Sequence, residues 1–341
     1  MAKRKRKAEP ITKLLRILPT AITIMLLCAG ICLGALMETG LVSLTDIQDS
    51  LGIAPVQSGT GENVPEKARD FSVHVIDVGQ GDSSLILAGG KSILIDAGEK
   101  EYGESVVSYI RQKGISRLDY IIATHPHSDH IGGMAEVVSE IGADKIIVPR
   151  LPDELVPTTR VYEDFLEAVK DGGMKLTAAK AGHIYRICDI GGLPVDMTVL
   201  APKENADFED LNDHSVCVRL DFNRISWLFT GDLSKEGERA LLNSGADIDV
   251  TAYKVGHHGS SGSSTEELLN EMTPRLCVIS CGEGNSYGHP HEEAMERLEE
   301  HTDSIYRTDI SSTLSFYSDG EKIYVSKTSS GESEDMNNDD S

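Results

Sequence analysis

Ile121-Ile122-Ala123-Thr124-His125-Pro126-His127-Ser128-Asp129-His130-Ile131-Gly132-Gly133 passes from apolar to polar at a single point. The apolar half reads as a buried strand, and the change to His, Pro, Ser and Asp reads as a tight loop at its end. The two glycines and the amphipathic segment behind them read as the start of a helix. Packing does not require three imidazoles and a carboxylate between residues 125 and 130. A divalent cation does, because imidazole nitrogen and carboxylate oxygen are ready ligands for it. His125, His127, Asp129 and His130 are therefore candidate metal ligands.

Outward from this stretch, short apolar runs alternate with amphipathic ones. Strands are predicted near 71–76, 84–87 and 92–95, and a helix near 103–114. The strand leading into His125, a helix near 131–141, a strand at 145–148 and a helix near 159–171 follow. The second half predicts strands near 184–188, 196–200, 215–222 and 225–230, then a helix near 234–244. A strand at 251–255 and a helix at 264–270, opened by a Ser264…Glu267 capping box, come next. A strand at 276–280 and a helix at 292–300 complete the pattern. Strands in runs with helices between the runs predict an α/β fold of two sheets with helices outside, a four-layer α/β/β/α sandwich.

Further polar stretches fall at strand ends, where loops on a rigid frame carry function. Thr230-Gly231-Asp232 follows one strand. Asp232 reads as a carboxylate bridging two metals or as a helix cap, though Ser234 is better placed to cap. In Lys254-Val255-Gly256-His257-His258-Gly259-Ser260-Ser261 the adjacent histidines point in different directions. One can ligate while the other contacts substrate or supports the site. Gly288-His289-Pro290-His291 follows a glycine-rich loop; His289 reads as a donor to a substrate oxyanion or as a loop residue, and His291 as a helix start. Asp77-Val78-Gly79-Gln80-Gly81-Asp82-Ser83 and Asn212-Asp213-His214-Ser215 carry site candidates in Asp77, Asp82, Asn212 and Ser215, but also read as turns.

The 341 residues carry a formal charge of −23, unevenly placed. Residues 1–37 contribute +6, so residues 38–341 hold −29. A body that acidic repels polyanions, which weighs against a module that binds nucleic acid by charge alone. The six cysteines form no C-x-x-C pair, and no structural disulfide is expected. Lys3 to Lys7 are basic, and Ile17 to Met37 are 21 residues without charge. At about 1.5 Å per residue that spans a bilayer core of about 30 Å. Basic residues before it and acids after it place the N-terminus in the cytoplasm and the body outside. The alternative is a cleaved signal peptide and a secreted body. The expected organisation is a basic N-terminus (1–16), one transmembrane helix (17–37), a linker (38–69), the catalytic domain (70–327) and an acidic disordered tail (328–341).

The H-x-H-x-D-H signature resembles the metallo-β-lactamase superfamily. With Asp77–Ser83, Ile95–Gly98, Asn212–Ser215, Thr230–Asp232, Lys254–Ser260, Gly288–Pro290 and Arg307-Thr308-Asp309, residues 70–327 are similar to the hydrolase domain of the DNA-uptake competence family ComEC. That resemblance implies two divalent metal ions, zinc by its fit to a His/Asp set, or manganese. Carried over by motif, His125 and His127 hold the first and Asp129, His130 and His258 the second. Asp232 bridges them, and the choice between His257 and His258 stays open. Many superfamily members place another histidine ligand before the bridging aspartate. Here His183 and His214 are available, whereas the ComEC pattern has Asn212 and Ser215. The implied chemistry is hydrolysis of a phosphodiester, DNA first, by a metal-activated hydroxide. Asp129 would orient it, while His289, Asn212 or Ser215 hold the non-bridging oxygens. Alternatives are a phosphocholine-type cell-wall phosphodiester, a lactone or β-lactam, and a surface binding protein with a relic site. The ComEC family also carries a multi-helix channel. This chain offers one apolar segment, so the expected arrangement is the hydrolase domain alone on an anchor.

Overall fold

The computed structural model describes residues 56–58 and 64–327. The expected transmembrane helix at 17–37, the acidic tail and most of the linker lie outside the described residues. Among the described residues no helix is long and apolar enough to cross a membrane. The strands are β1 (Val56–Ser58), β2 (Phe71–Val75), β3 (Ser84–Ala88), β4 (Lys91–Ile95), β5 (Leu118–Ile122), β6 (Ala143–Val148), β7 (Leu176–Ala178), β8 (Ile184–Ile190), β9 (Leu193–Ala201), β10 (Cys217–Phe222), β11 (Ile225–Phe229), β12 (Ala252–Lys254), β13 (Leu276–Ile279), β14 (Ile305–Arg307), β15 (Leu314–Ser318) and β16 (Ile323–Lys327). The helices are α1 (Gly103–Gln112), α2 (Ser128–Ile131), α3 (Met134–Glu140), α4 (Arg160–Asp171), α5 (Lys235–Leu242), α6 (Glu266–Met272), α7 (Glu292–His301) and α8 (Thr308–Ser311).

Strand periodicity explains the layers. On β2, Phe71, Val73 and Val75 share one face while Ser72 and His74 share the other. Phe71 stacks on Phe222 of β10 at 5.1 Å, and Phe316 of β15 meets Trp227 of β11 edge-on at 5.2 Å. These rings fill the space between a nine-stranded sheet, ordered β1-β16-β15-β2-β3-β4-β5-β6-β7, and a seven-stranded sheet, ordered β14-β13-β12-β11-β10-β9-β8. On the outer face of the first sheet, Leu94, Ile121 and Ile146 pack with Val106 and Ile110 of α1, Val137 of α3 and Phe165 of α4. On the outer face of the second, Leu228, Tyr253 and Cys277 pack with Leu241 of α5, Leu268 of α6 and Leu298 of α7. The four layers expected from the sequence are present.

Strands β4 to β7 run parallel in the first sheet and β11 to β14 in the second. The loops that leave β4, β5, β11, β12 and β13 therefore issue from strand C-terminal ends, the usual place for a site in such sheets.

Several boundaries differ from expectation. The helix expected near 131–141 is α3, which starts at Met134; Gly132-Gly133 separate it from the short α2 before it. A Cβ at Gly132 would collide with the Lys100 amide and the Ser128 carbonyl, and one at Gly133 with the Ala97 carbonyl. Thr265, not Ser264, caps α6: its Oγ1 accepts the Leu268 N–H at 3.3 Å. Ser264 sits at φ +52°, and its N–H goes to the buried Glu238 carboxylate, which burial pushes up to about 6. The compact unit starts at Val56 rather than 70, because β1 pairs with β16 and Ala68 is buried. Strands β14 to β16 were not anticipated; β15 closes the first sheet against β2.

His74 is an unanticipated feature of the outer interface. Its Nδ1 meets Ser315 Oγ at 2.7 Å and Tyr109 Oη at 3.1 Å, and its Nε2 meets Ser72 Oγ at 2.9 Å. Burial, then the nearby Lys113 charge, pushes its pKa down to about 3. The unfolded chain binds this proton below pH 6.5 and the folded chain refuses it down to about 3. Stability is thus full above 6.5 and falls on acidification, by at most about 1.4 kcal/mol per pH unit. Urea unfolding in EDTA between pH 7 and 4.5 should show a shallower loss for His74→Gln than for the wild type. Parallel losses would remove His74 as the cause.

Candidate metal centre

Each ligand candidate is aimed by a partner from another loop. Asp96, at the end of β4, adopts φ +57° and is fully buried. Its Oδ1 accepts the Thr124 N–H at 2.8 Å, and its Oδ2 accepts Thr124 Oγ1 at 2.6 Å and His130 Nδ1–H at 2.7 Å. That fixes the His130 tautomer and turns Nε2 toward the site. Thr124 Oγ1 also lies 3.1 Å from His125 Nδ1, and Ser215 Oγ 3.3 Å from the same atom. Ser215 Oγ accepts the Asp232 N–H at 3.2 Å as well, so one hydroxyl ties a histidine to the aspartate opposite. His258 Nδ1–H donates to the Ser280 carbonyl at 3.0 Å, which directs its Nε2 inward. Behind it Asp82 forms a buried ion pair with Lys254 at 2.8 Å.

The outcome is convergence on Asp232. Its Oδ2 lies 3.2 Å from His130 Nε2, 3.5 Å from His258 Nε2, 3.7 Å from His257 Nε2 and 4.0 Å from His125 Nε2. Asp129, His130, Asp232 and His258 each offer one ligand atom, all within 4.8 Å of one another. His125 Nε2 and His127 Nδ1 lie 3.1 Å apart on the other side. His130 Nε2, His258 Nε2 and Asp232 Oδ1 are buried and have no hydrogen-bond partner. Buried polar atoms left unpaired are costly, and several aimed at one point fit a cation. The residues present therefore fit two metal ions sharing Asp232.

Protons compete for the same atoms. Burial is the largest single influence on His130 and His258 and lowers both, but the surrounding carboxylates together outweigh it, Asp232 first, then Asp96 at His130 and Asp82 at His258, so both rise well above the usual range. Burial, then the neighbouring His130 charge, drives His125 well below it. Asp129 and Asp232 are held low by the same imidazoles despite their burial.

The remaining candidates sit around this centre. His257 and His258 both have left-handed backbone, at φ +50° and +53°. The strain is sustained in part by the His257 N–H bond to Gly231 O at 3.1 Å. His289 lies at the rim, 5.8 Å from the His257 ring and 6.1 Å from the His258 ring. Gln80 Nε2 donates to its Nδ1 at 3.3 Å, and Gln80 is oriented by the Gly282 N–H on Oε1. His289 Nε2 is then the protonated nitrogen. Burial, then the His258 charge, pushes its pKa down to about 4, so it is a neutral donor. His291 braces the loop: Nδ1 accepts the Ser261 N–H and Nε2–H donates to Tyr287 O, each at 3.0 Å. Asp77 Oδ1 accepts the Gly79 N–H at 3.1 Å, the turn role rather than a place among the ligands. Asp82 stands behind His258, not in front of it. Asn212 is buried in the turn before β10 with Oδ1 unpartnered. His214 Nε2 bonds the Phe208 carbonyl and His183 packs on Tyr185, so neither joins the ligands. Lys254 and Gln80 are not legible as site residues because their partners lie 172 and 209 residues away, and Asp96 because its motif also spells a turn.

The model of the metallo-beta-lactamase superfamily matches residues 76–283, which include every ligand candidate. The chain belongs to that superfamily. It is also similar to ComE operon protein 3 of Bacillus subtilis (strain 168), 32% identical over 316 residues, which cover 86% of this chain and 38% of that protein. Recombination protein 2 of Haemophilus influenzae is 29% identical over 265 residues, 76% of this chain and 30% of the relative. Competence protein ComA of Neisseria gonorrhoeae is 30% identical over 257 residues, 75% of this chain and 33% of the relative. The chain thus spans between 30% and 38% of these relatives' length. The metallo-β-lactamase assignment and the geometry agree on a metal-dependent hydrolase fold.

Two outcomes are expected. Metal binding should release protons from His130 and His258, so calorimetry in buffers of different ionisation heat should give different apparent enthalpies; equal enthalpies would contradict the protonation assignment. Asp96→Asn should weaken metal affinity roughly 10- to 100-fold without loss of circular dichroism signal. An unchanged affinity would show that His130 needs no carboxylate behind it.

Proposed function

We propose that this chain is a membrane-anchored, extracytoplasmic phosphodiesterase that takes DNA as substrate and zinc, or manganese, as its metal pair. One observation carries the reading: a single carboxylate oxygen, Asp232 Oδ2, within 4.0 Å of four imidazole Nε2 atoms from two other loops. Two divalent cations held by His125, His127, Asp129, His130, Asp232 and His258 would supply hydroxide at neutral pH by lowering the pKa of bound water toward about 7. Asp129, a quarter exposed where His130 and His258 are sealed, faces the opening and orients the nucleophile. His289 offers a neutral Nε2–H to a non-bridging phosphate oxygen without neutralising the metals' task. Ser215 is already engaged by His125 and Asp232, so it positions ligands rather than substrate. The names of the relatives refer to competence and recombination, which supports DNA over a cell-wall phosphodiester, a lactone or a β-lactam. The basic cluster before 21 uncharged residues supports the anchor and an external body.

The test is hydrolysis of single-stranded DNA, bis-p-nitrophenyl phosphate and nitrocefin by the purified chain with zinc or manganese. Turnover of the first two and not the third is expected. EDTA should abolish it and added metal restore it. Asp129→Ala and His127→Ala should abolish turnover while unfolding cooperatively. Full activity in both variants would sink the proposal.

A further inference from the structure

The loop from Gly282 to His291 presents an aromatic ring that the fold does not use. Tyr287 is 66% exposed, yet its backbone is fully committed. Its N–H donates to Asn285 Oδ1 at 3.2 Å, and its carbonyl accepts His291 Nε2–H at 3.0 Å. Asn285 also bonds the Gly282 carbonyl at 2.9 Å, the His289 carbonyl at 2.6 Å and the His289 N–H at 3.0 Å. Gly288, at φ +76°, turns the chain so that residues 287 and 289 bring their rings together. The Tyr287 ring stacks on the His289 imidazole at 5.6 Å and 19°, and His289 stacks in turn on His258 at 6.1 Å and 27°. Three near-parallel rings thus lead from solvent to a ligand of the metal centre. Exposing a large ring gains nothing for folding, while a braced loop holds it in one place.

We propose that the open face of Tyr287 stacks a nucleobase flanking the scissile phosphate, which makes the substrate a single-stranded nucleic acid. This rests on the phosphodiesterase reading above. A base within a duplex has both faces covered by its neighbours, so only an unstacked base can use the ring. A quaternary ammonium is a poorer fit, because its recognition uses a cage of rings and Tyr287 offers one open face. Stacking also suits a body of charge −29 over residues 38–341, since it attracts a polyanion without positive charge.

The test compares kcat/KM of the metal-loaded full chain on a single-stranded oligothymidylate, its duplex, and an equally long oligomer of abasic tetrahydrofuran phosphates. Tyr287→Ala should lower kcat/KM on the oligothymidylate roughly tenfold, mainly through KM, as loss of one stacked base does. It should leave the abasic oligomer unchanged, and Tyr287→Phe should behave as wild type. Equal wild-type rates on thymidylate and abasic oligomers, a duplex cut as fast as the single strand, or an equal loss on both oligomers in Tyr287→Ala would overturn the inference while leaving the phosphodiesterase intact. A loss confined to p-nitrophenylphosphorylcholine would assign the ring to a cation instead. No wild-type turnover of either oligomer would remove the nuclease reading, and this inference with it.

Discussion

Four carboxylates, those of Asp82, Asp96, Asp129 and Asp232, are packed into one end of the sandwich, three of them almost fully buried. An ionised carboxylate in that setting is untenable unless a positive partner lies within reach. Asp82 has Lys254, and Asp96 has His130 with two donors from Thr124. Asp129 and Asp232 have only imidazoles whose outer nitrogens are already spoken for. Their charge is met either by protons on His130 and His258 or by cations in the same place. The electrostatics that would make an apo form proton-loaded are the electrostatics that make the holo form bind metal.

That arrangement dictates backbone conformations no element would choose by itself. Asp96, His257 and His258 all take left-handed φ without being glycine. Each such residue costs of order 1–3 kcal/mol and survives only where its surroundings over-determine it. For Asp96 those surroundings are Thr124 and His130; for His257 they are the Gly231 carbonyl and the left-handed Gly231 itself. Gly81 serves the same end: any Cβ there would strike the Asp129 carbonyl, which also accepts the Asp82 N–H at 3.0 Å. The acid loop and the histidine loop can approach each other only because that side chain is missing.

The sequence shows the centre where its members are adjacent and hides it where they are not. His125, His127, Asp129 and His130 lie on one loop, so their crowding is visible as spelling. The pairs Lys254–Asp82, Ser215–His125 and Gln80–His289 span 172, 90 and 209 residues, and nothing local says which residue meets which. Asp96 lay inside a motif, yet Asp-Ala-Gly after a strand spells a turn as readily as a brace for His130. The same logic covers the fold. The apolar runs of β2 to β5 gave their place, whereas β14 is only three residues long and β15 finds its place against β2 from the opposite end of the domain. The helix expected at 131–141 starts only at Met134, and the need for Gly132 and Gly133 before it comes from the 97–103 segment packed against them, a tertiary demand with no local signature.

The acidity of the body and the proposed polyanionic substrate pull in opposite directions, and the site shows how they are reconciled. Lys254, the buried cation of the centre, is neutralised by Asp82 and contributes no outward field. His289 is held neutral. A metal pair held by these residues would therefore be the main source of positive potential toward a phosphate, set in a low-dielectric end of the sandwich where its field is little screened. Binding of the proposed substrate would then depend on cation occupancy at the phosphate and on uncharged contacts at the rim, not on a basic groove. With the proposed nucleic-acid substrate, a net-acidic body would disfavour nonproductive adsorption and leave the metal-loaded end as the place where approach is favourable.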